Sequence, residues 1–165
     1  MIIPLFFACE TTDDEEKSGS SSCTATASES LASTLQYQVF QAVTGLFGTV
    51  NSSSTYPNYT STDGSVTVTG SYTTYPYYFN FIFVFNNYEY SSLIIKSGQV
   101  TYTDRVDDDT SIHYYEYKGG SFVIDYLDET YTMTWNFSQY NQAGSLEYTG
   151  NFTVCGVSYE YGGAY

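Results

Sequence analysis

The chain has 165 residues, enough for one domain with a single real core, and its four lysines and arginines stand against eighteen aspartates and glutamates, a formal net charge of −14. That balance excludes a nucleic-acid partner, because phosphate binding needs clustered cations, and it excludes a basic face that would hold the chain on an anionic bilayer. A single histidine removes any His-based metal cluster or two-histidine mechanism, and no cofactor is implied.

The chain opens on the apolar run Ile2 to Phe7, then the small residue Ala8, then Cys9. This pattern resembles the lipobox of bacterial lipoproteins, in which the cysteine becomes the lipidated first residue of the mature protein. The resemblance covers about the first nine residues. It implies that residues 1–9 are the remnant of a signal peptide and that Cys9 carries acyl chains such as palmitate. The protein is then anchored through that lipid in the membrane, at the bacterial outer membrane or cell surface. No Lys or Arg precedes the apolar run, and a start codon further upstream would supply both the charge and the rest of the run. With Cys9 lipidated, Cys23 and Cys155 remain as an even pair in an oxidising compartment, so a disulfide between them is expected.

Residues 10–22 join the acidic run Asp13-Asp14-Glu15-Glu16 to Ser and Gly. They cannot bury apolar area and read as an extended, self-repelling tether. An acidic cluster close behind the cysteine also resembles the surface-export signals of lipoproteins in the Bacteroidetes. Residues 23–165 form the domain.

The domain begins with a helix. Thr26 and Glu29 have capping-box spacing, Leu31, Leu35, Val39, Val43 and Leu46 keep one apolar stripe with Ala32 and Ala42, and Gly45 and Gly48 offer a stop. Asn51 to Asp63 reads as a long surface connection around Pro57. From Gly64 the period changes to two. Val66 to Tyr72, Phe79 to Phe85, Leu93 to Tyr102, Ile112 to Tyr117, Phe122 to Tyr126, Tyr131 to Phe137 and Leu146 to Val154 make about seven strands, with Lys118-Gly119-Gly120-Ser121 as a turn or bulge. The strand Phe81 to Phe85 is apolar on both sides and is expected to be central. Gly64 to Gly70 echoes Gly150 to Gly156, which suggests equivalent edge or corner strands. The expected fold is mainly β: a curled antiparallel sheet, open-barrel-like or a sandwich, with the N-terminal helix packed on it, because one helix about 10 Å across cannot cover seven strands lying flat.

Motifs for chemistry are sparse. There is no nucleophile elbow, phosphate-binding glycine loop, CxxC or HExxH. His113 alternates with Tyr115 and Tyr117 and reads as a satisfied sheet histidine, with no catalytic residue assigned. Asp104 and Asp107-Asp108-Asp109 lack the ordered spacing of a calcium loop and read as a charged hairpin, so no metal site is assigned. Glu116, Asp125, Asp128, Glu129 and Glu147 are the carboxylates from which a glycosidase pair could come. Among the twenty tyrosines, Tyr75, Tyr77 and Tyr78 beside Pro76 offer a binding platform for a protein or glycan ligand, since tyrosine combines a rigid ring with a polar handle. The Asn51, Asn58, Asn136 and Asn151 sequons carry no weight in a bacterial lipoprotein. The reading that unites these features is a membrane-anchored lipoprotein with a non-catalytic binding or structural β domain. Its rivals are a carboxylate-dependent carbohydrate-active enzyme and a carrier of an apolar ligand in a curled sheet.

Overall fold

A computed structural model describes residues 23–25, 27–74, 76–107, 112–142 and 145–164. Helix α1 (Glu29–Asn51) precedes β1 (Tyr59–Thr60), β2 (Val66–Thr74), β3 (Tyr77–Tyr90), β4 (Leu93–Val106), β5 (His113–Tyr126), β6 (Glu129–Gln142), β7 (Ser145–Val154) and β8 (Val157–Ala164). The eight strands pair in chain order into one antiparallel sheet whose edges are β1 and β8.

Helix α1 is capped by Ser28, whose Oγ accepts the Leu31 N–H at 3.3 Å. Thr26, the cap expected from the sequence, lies outside the described residues. The helix also runs through Gly45 and Gly48, where a stop was expected, and ends at Asn51. Leu46 and Val50 explain the extension, because both are buried on the stripe that holds Leu35, Val39 and Val43. Burying two more aliphatic side chains, each at roughly 1.5–3 kcal/mol, outweighs about 1 kcal/mol for each interior glycine.

The sheet is a single open layer and not a sandwich. Laid flat, its strands at about 4.8 Å spacing would span roughly 34 Å, against about 10 Å for a helix. Yet every strand from β2 to β8 buries residues on the helix side, Val66, Phe83, Ile95, Phe122, Trp135, Phe152 and Tyr159 among them. The sheet therefore curls around α1. Irregularities in the middle of three long strands let it bend: β3 carries Asn87 at φ 54°, β4 shifts register between Ile95 and Ser97 and again between Gln99 and Thr101, and β5 shifts between Tyr117 and Gly120.

That last shift corrects one expectation. The strands expected over 112–117 and 122–126 are one, β5, which begins at His113 and is bulged at Lys118-Gly119, and β1 and β8 bring the total among the described residues to eight. The echoing glycine segments are not edges either, since β2 lies between β1 and β3 and β7 between β6 and β8. Strand β3 is interior as expected, but Ile82 and Val84 are 40% and 42% exposed on the outer face, so its two-sided apolar character does not reflect two-sided burial.

Cys23 and Cys155 form a disulfide with Cα atoms 5.9 Å apart. It joins the residues just before α1 to the β7–β8 turn, and Thr24 N–H donates to Thr130 O at 3.0 Å beside the β5–β6 turn. The β3–β4, β5–β6 and β7–β8 turns share this end of the sheet, the proximal end. At the opposite, distal end β2 passes into β3 and β4 into β5.

Candidate functional site

Toward the distal end the inward positions carry rings. Phe81, Tyr102, Tyr117 and Phe137 stand in one row across β3, β4, β5 and β6; Phe79, Asp104, Tyr115 and Gln139 stand in the next. Helix α1 leaves a cavity of about 250 Å³ against these rows. Phe40, Val43, Thr44 and Phe47 line it from the helix. Phe83, Tyr102, Tyr115, Tyr117 and Gln139 line it from the sheet. Its rings brace one another, with Phe47 5.1 Å from Tyr102, Tyr102 5.0 Å from Tyr117 and Phe40 5.6 Å from Tyr117 between centroids.

Behind Tyr102 and Tyr115 sits Asp104, only 6% exposed. The Tyr77 hydroxyl donates to its Oδ2 at 3.3 Å, whereas Oδ1 is buried with no hydrogen-bond partner. His113 Nδ1 lies 3.8 Å from Oδ1, within ion-pair range but too far for a hydrogen bond, and it too is buried without one. The satisfied histidine expected from the sequence is thus corrected: His113 stacks on Tyr115 at 5.9 Å with Nδ1 unpaired by hydrogen bonding. Burial pushes the Asp104 carboxyl above the ordinary aspartate range, against the opposing pull of His113 and Tyr77. Burial, then the Asp104 charge, hold the Tyr77 hydroxyl up to about 12. Tyr102 and Tyr115 are raised as well, by burial first, with Asp104 contributing to both.

A carboxyl whose pKa is raised on folding binds its proton more tightly in the native state, so its stabilising contribution is present at low pH and lost as pH rises through the folded value. Wild-type protein should therefore lose stability, relative to Asp104→Asn, as pH climbs from about 4 toward neutrality. Urea unfolding of both proteins across pH 4–8 measures this, and parallel profiles would refute it.

The remaining residues singled out from the sequence are dispersed. Tyr77 faces inward against Phe79 at 4.7 Å. Tyr78, the next residue on the strand, faces outward at 37% exposure, and Tyr75 lies outside the described residues. Tyr77 and Tyr78 therefore do not share a surface. Cys9 and the tether are also outside the described residues. Glu116 is on the outer face, bonded to Lys118 at 2.7 Å, which together with Thr103 holds its carboxyl low. Asp125 accepts from Thr130 at 2.7 Å and pairs with Lys96 at 3.3 Å; Glu129 accepts from Thr24. None of the five candidate carboxylates lines the cavity. Among the described residues no three of His, Cys, Asp and Glu gather as metal ligands; Asp108 and Asp109 lie outside them.

Asp104, expected in a charged hairpin, instead lies inside β4. A signal for Asp104 did exist: Val100, Tyr102 and Asp104 share one phase of β4, and an acid on the inward phase of an apolar strand has to meet something. The chain matches no protein-family model, no curated protein and no solved structure.

Proposed function

We propose that this protein is a bacterial lipoprotein, anchored by Cys9 in the outer membrane or on the cell surface, whose β domain binds a ligand without catalysis in the recess between α1 and the distal half of the sheet. The observation that carries the reading is polarity of placement. The chain arrives from Cys9 at Cys23, which is bridged to Cys155 at the proximal end, while the aromatic recess and Asp104 lie toward the other end. Inward positions of Tyr115 and Ile124 on β5 are nine residues apart, roughly 30 Å along a strand, so an anchored domain would hold the recess away from the bilayer. The bridge also leaves Cys9 as the one cysteine of three outside it.

Binding is favoured over the rival readings on two counts. Glycoside hydrolysis needs two carboxyls facing one bond, whereas the acid nearest the recess, Asp104, faces Tyr77 and His113. A carrier of a bulky apolar molecule needs an empty interior, but Trp135, Phe81, Phe83, Phe122 and Phe152 fill this one. About 250 Å³ is below the usual range of roughly 300–1,000 Å³ for drug-sized ligands. The recess therefore suits a small molecule or the tip of a larger protein or glycan ligand.

The anchor is tested by expressing the chain in a bacterium behind a complete lipoprotein signal peptide. Mass spectrometry of the membrane fraction should show a lipid-sized addition on Cys9, and Cys9→Ser should release unmodified protein. Unmodified, soluble protein in both cases would overturn the anchor.

A further inference from the structure

The chemistry around the recess identifies what it would hold. Six of its nine lining residues are Phe or Tyr, and aromatic faces attract cations through the negative π surface. Asp104 supplies a formal charge directly behind them. It stands one inward position beyond Tyr102 on β4 and opposite Tyr115 on β5, and its field reaches the hydroxyls of both. A carboxylate this buried is costly unless it is paired or fully hydrogen-bonded. Here its Oδ1 has no hydrogen bond, and its ion-pair partner is a histidine 3.8 Å away.

Among the described residues no permanent cation is shown facing the same space. Among the described residues the lysines and arginines are Lys96, Arg105 and Lys118, all turned to the outer face: Lys96 pairs with Asp125, Arg105 lies 4.2 Å over the Tyr114 ring, and Lys118 pairs with Glu116. The titratable groups around Asp104 are Tyr77 from β3, Tyr102 on its own strand, and His113 and Tyr115 from β5. The recess thus has negative field and ring faces, and its own acceptors are uncharged: the Gln139 amide and the hydroxyl oxygens of Thr44, Tyr102, Tyr115 and Tyr117. Thr44 donates its hydroxyl to Phe40 O at 2.9 Å, and Asp104 Oδ2 accepts from Tyr77. A primary ammonium has three donors that must exchange water for such uncharged acceptors. A quaternary ammonium needs none, only ring faces and a nearby negative charge.

Resting on the binding reading above, we propose that the recess takes a small quaternary ammonium compound, its methylated nitrogen over the faces of Tyr102, Tyr115 and Tyr117 with Asp104 as the counter-charge behind them. The bound cation offsets the desolvation of Asp104, which is why an otherwise unfavourable buried acid is useful there. A neutral sugar could stack on the same rings, but it would draw nothing from the charge.

The experiment is calorimetric titration of the full chain at neutral pH with choline, with its uncharged carbon isostere 3,3-dimethyl-1-butanol, and with methyl glucoside. Choline should bind saturably and at least tenfold more tightly than the other two. Asp104→Asn, whose fold is checked by circular dichroism, should lose at least tenfold of choline affinity and little of any isostere affinity. Thr44→Trp, which fills the recess from the helix, should abolish binding. If the isostere or the glucoside binds as well as choline and Thr44→Trp blocks it, the recess stands and the ammonium inference falls. If no probe binds, both fall.

Discussion

Trp135→Ala should lower the unfolding free energy by about 3–5 kcal/mol, the range for emptying a buried indole site, and the melting temperature by on the order of 10 °C. Trp135 heads the fully buried side chains by volume and is 1% exposed. Its indole is stacked 5.2 Å from Tyr117 and 6.1 Å from Phe137, and Phe40 of α1 meets it edge-on at 6.2 Å. Truncation therefore opens a void at the contact between helix and sheet. The backbone opposite cannot fill it without repacking, because Gly120 stands across from Trp135 with no side chain, and even a Cβ there would come within 2.9 Å of the Trp135 Cβ. Trp135→Phe should cost much less, since it keeps most of the ring volume and removes an indole N–H that is buried without a hydrogen bond. As the chain has one tryptophan, urea unfolding has to be followed by far-UV circular dichroism. A loss below 1 kcal/mol for Trp135→Ala would mean that the helix does not pack on the sheet at this residue.

The position of Trp135 was legible in the sequence because β6 is unbroken. Tyr131, Met133, Trp135 and Phe137 hold one inward phase along the strand, and all four are buried. The neighbouring strands were harder to read, since each bulge inserts a residue and flips the parity. In β4 the buried positions are Leu93 and Ile95 before the extra residue between Ile95 and Ser97 but Val100, Tyr102 and Asp104 after it. In β5 Tyr117 precedes the bulge and Phe122 and Ile124 follow it on the other parity, which is why one strand resembled two. The last strand carries its own signal in Val157 and Tyr159, introduced by Cys155 and Gly156 at φ 52° and 84° in a two-residue turn. Positive φ at both turn residues matches the twist of a hairpin.

The recess was harder still. Its rings come from residues distant in sequence, Phe40 and Phe47 on the helix and Tyr102, Tyr115 and Tyr117 on two strands. No spacing rule connects them. Tyr77 and Tyr78 part for a simpler reason: they are consecutive in β3, and consecutive strand residues point to opposite faces. Disulfide parity, by contrast, needed no geometry.

That disulfide carries the other large expected effect. Replacing Cys23 and Cys155 together by Ser should lower the unfolding free energy by about 4–5 kcal/mol in the chain-entropy model, because the bridge closes a sequence separation of 132 residues. The same loss should follow when wild-type protein is reduced, while reductant should leave the double variant unchanged. Intact mass should rise by about two daltons on reduction, one hydrogen for each sulfur. Hydrogen bonds at the proximal end are made without either sulfur: Thr24 N–H to Thr130 O at 3.0 Å, Thr130 N–H to Thr24 Oγ1 at 2.8 Å and Cys155 N–H to Thr132 O at 2.9 Å. The folded state of the variant should accordingly keep its sheet, and the effect should lie mainly in the unfolded chain, which gains the freedom that the cross-link denies it. Under the anchor proposed at Cys9 the bridge would have a second consequence. A pull arriving from Cys9 would enter the domain at Cys23 and pass through sulfur to the β7–β8 turn, so that tension would not peel α1 from the sheet. Removing the bridge routes that tension through Ser28 and the first turn of α1, and proteolysis of the immobilised double variant should then begin in the helix. Equal proteolysis of bridged and unbridged protein under identical tethering would show that the hydrogen bonds of Thr24 alone hold that end.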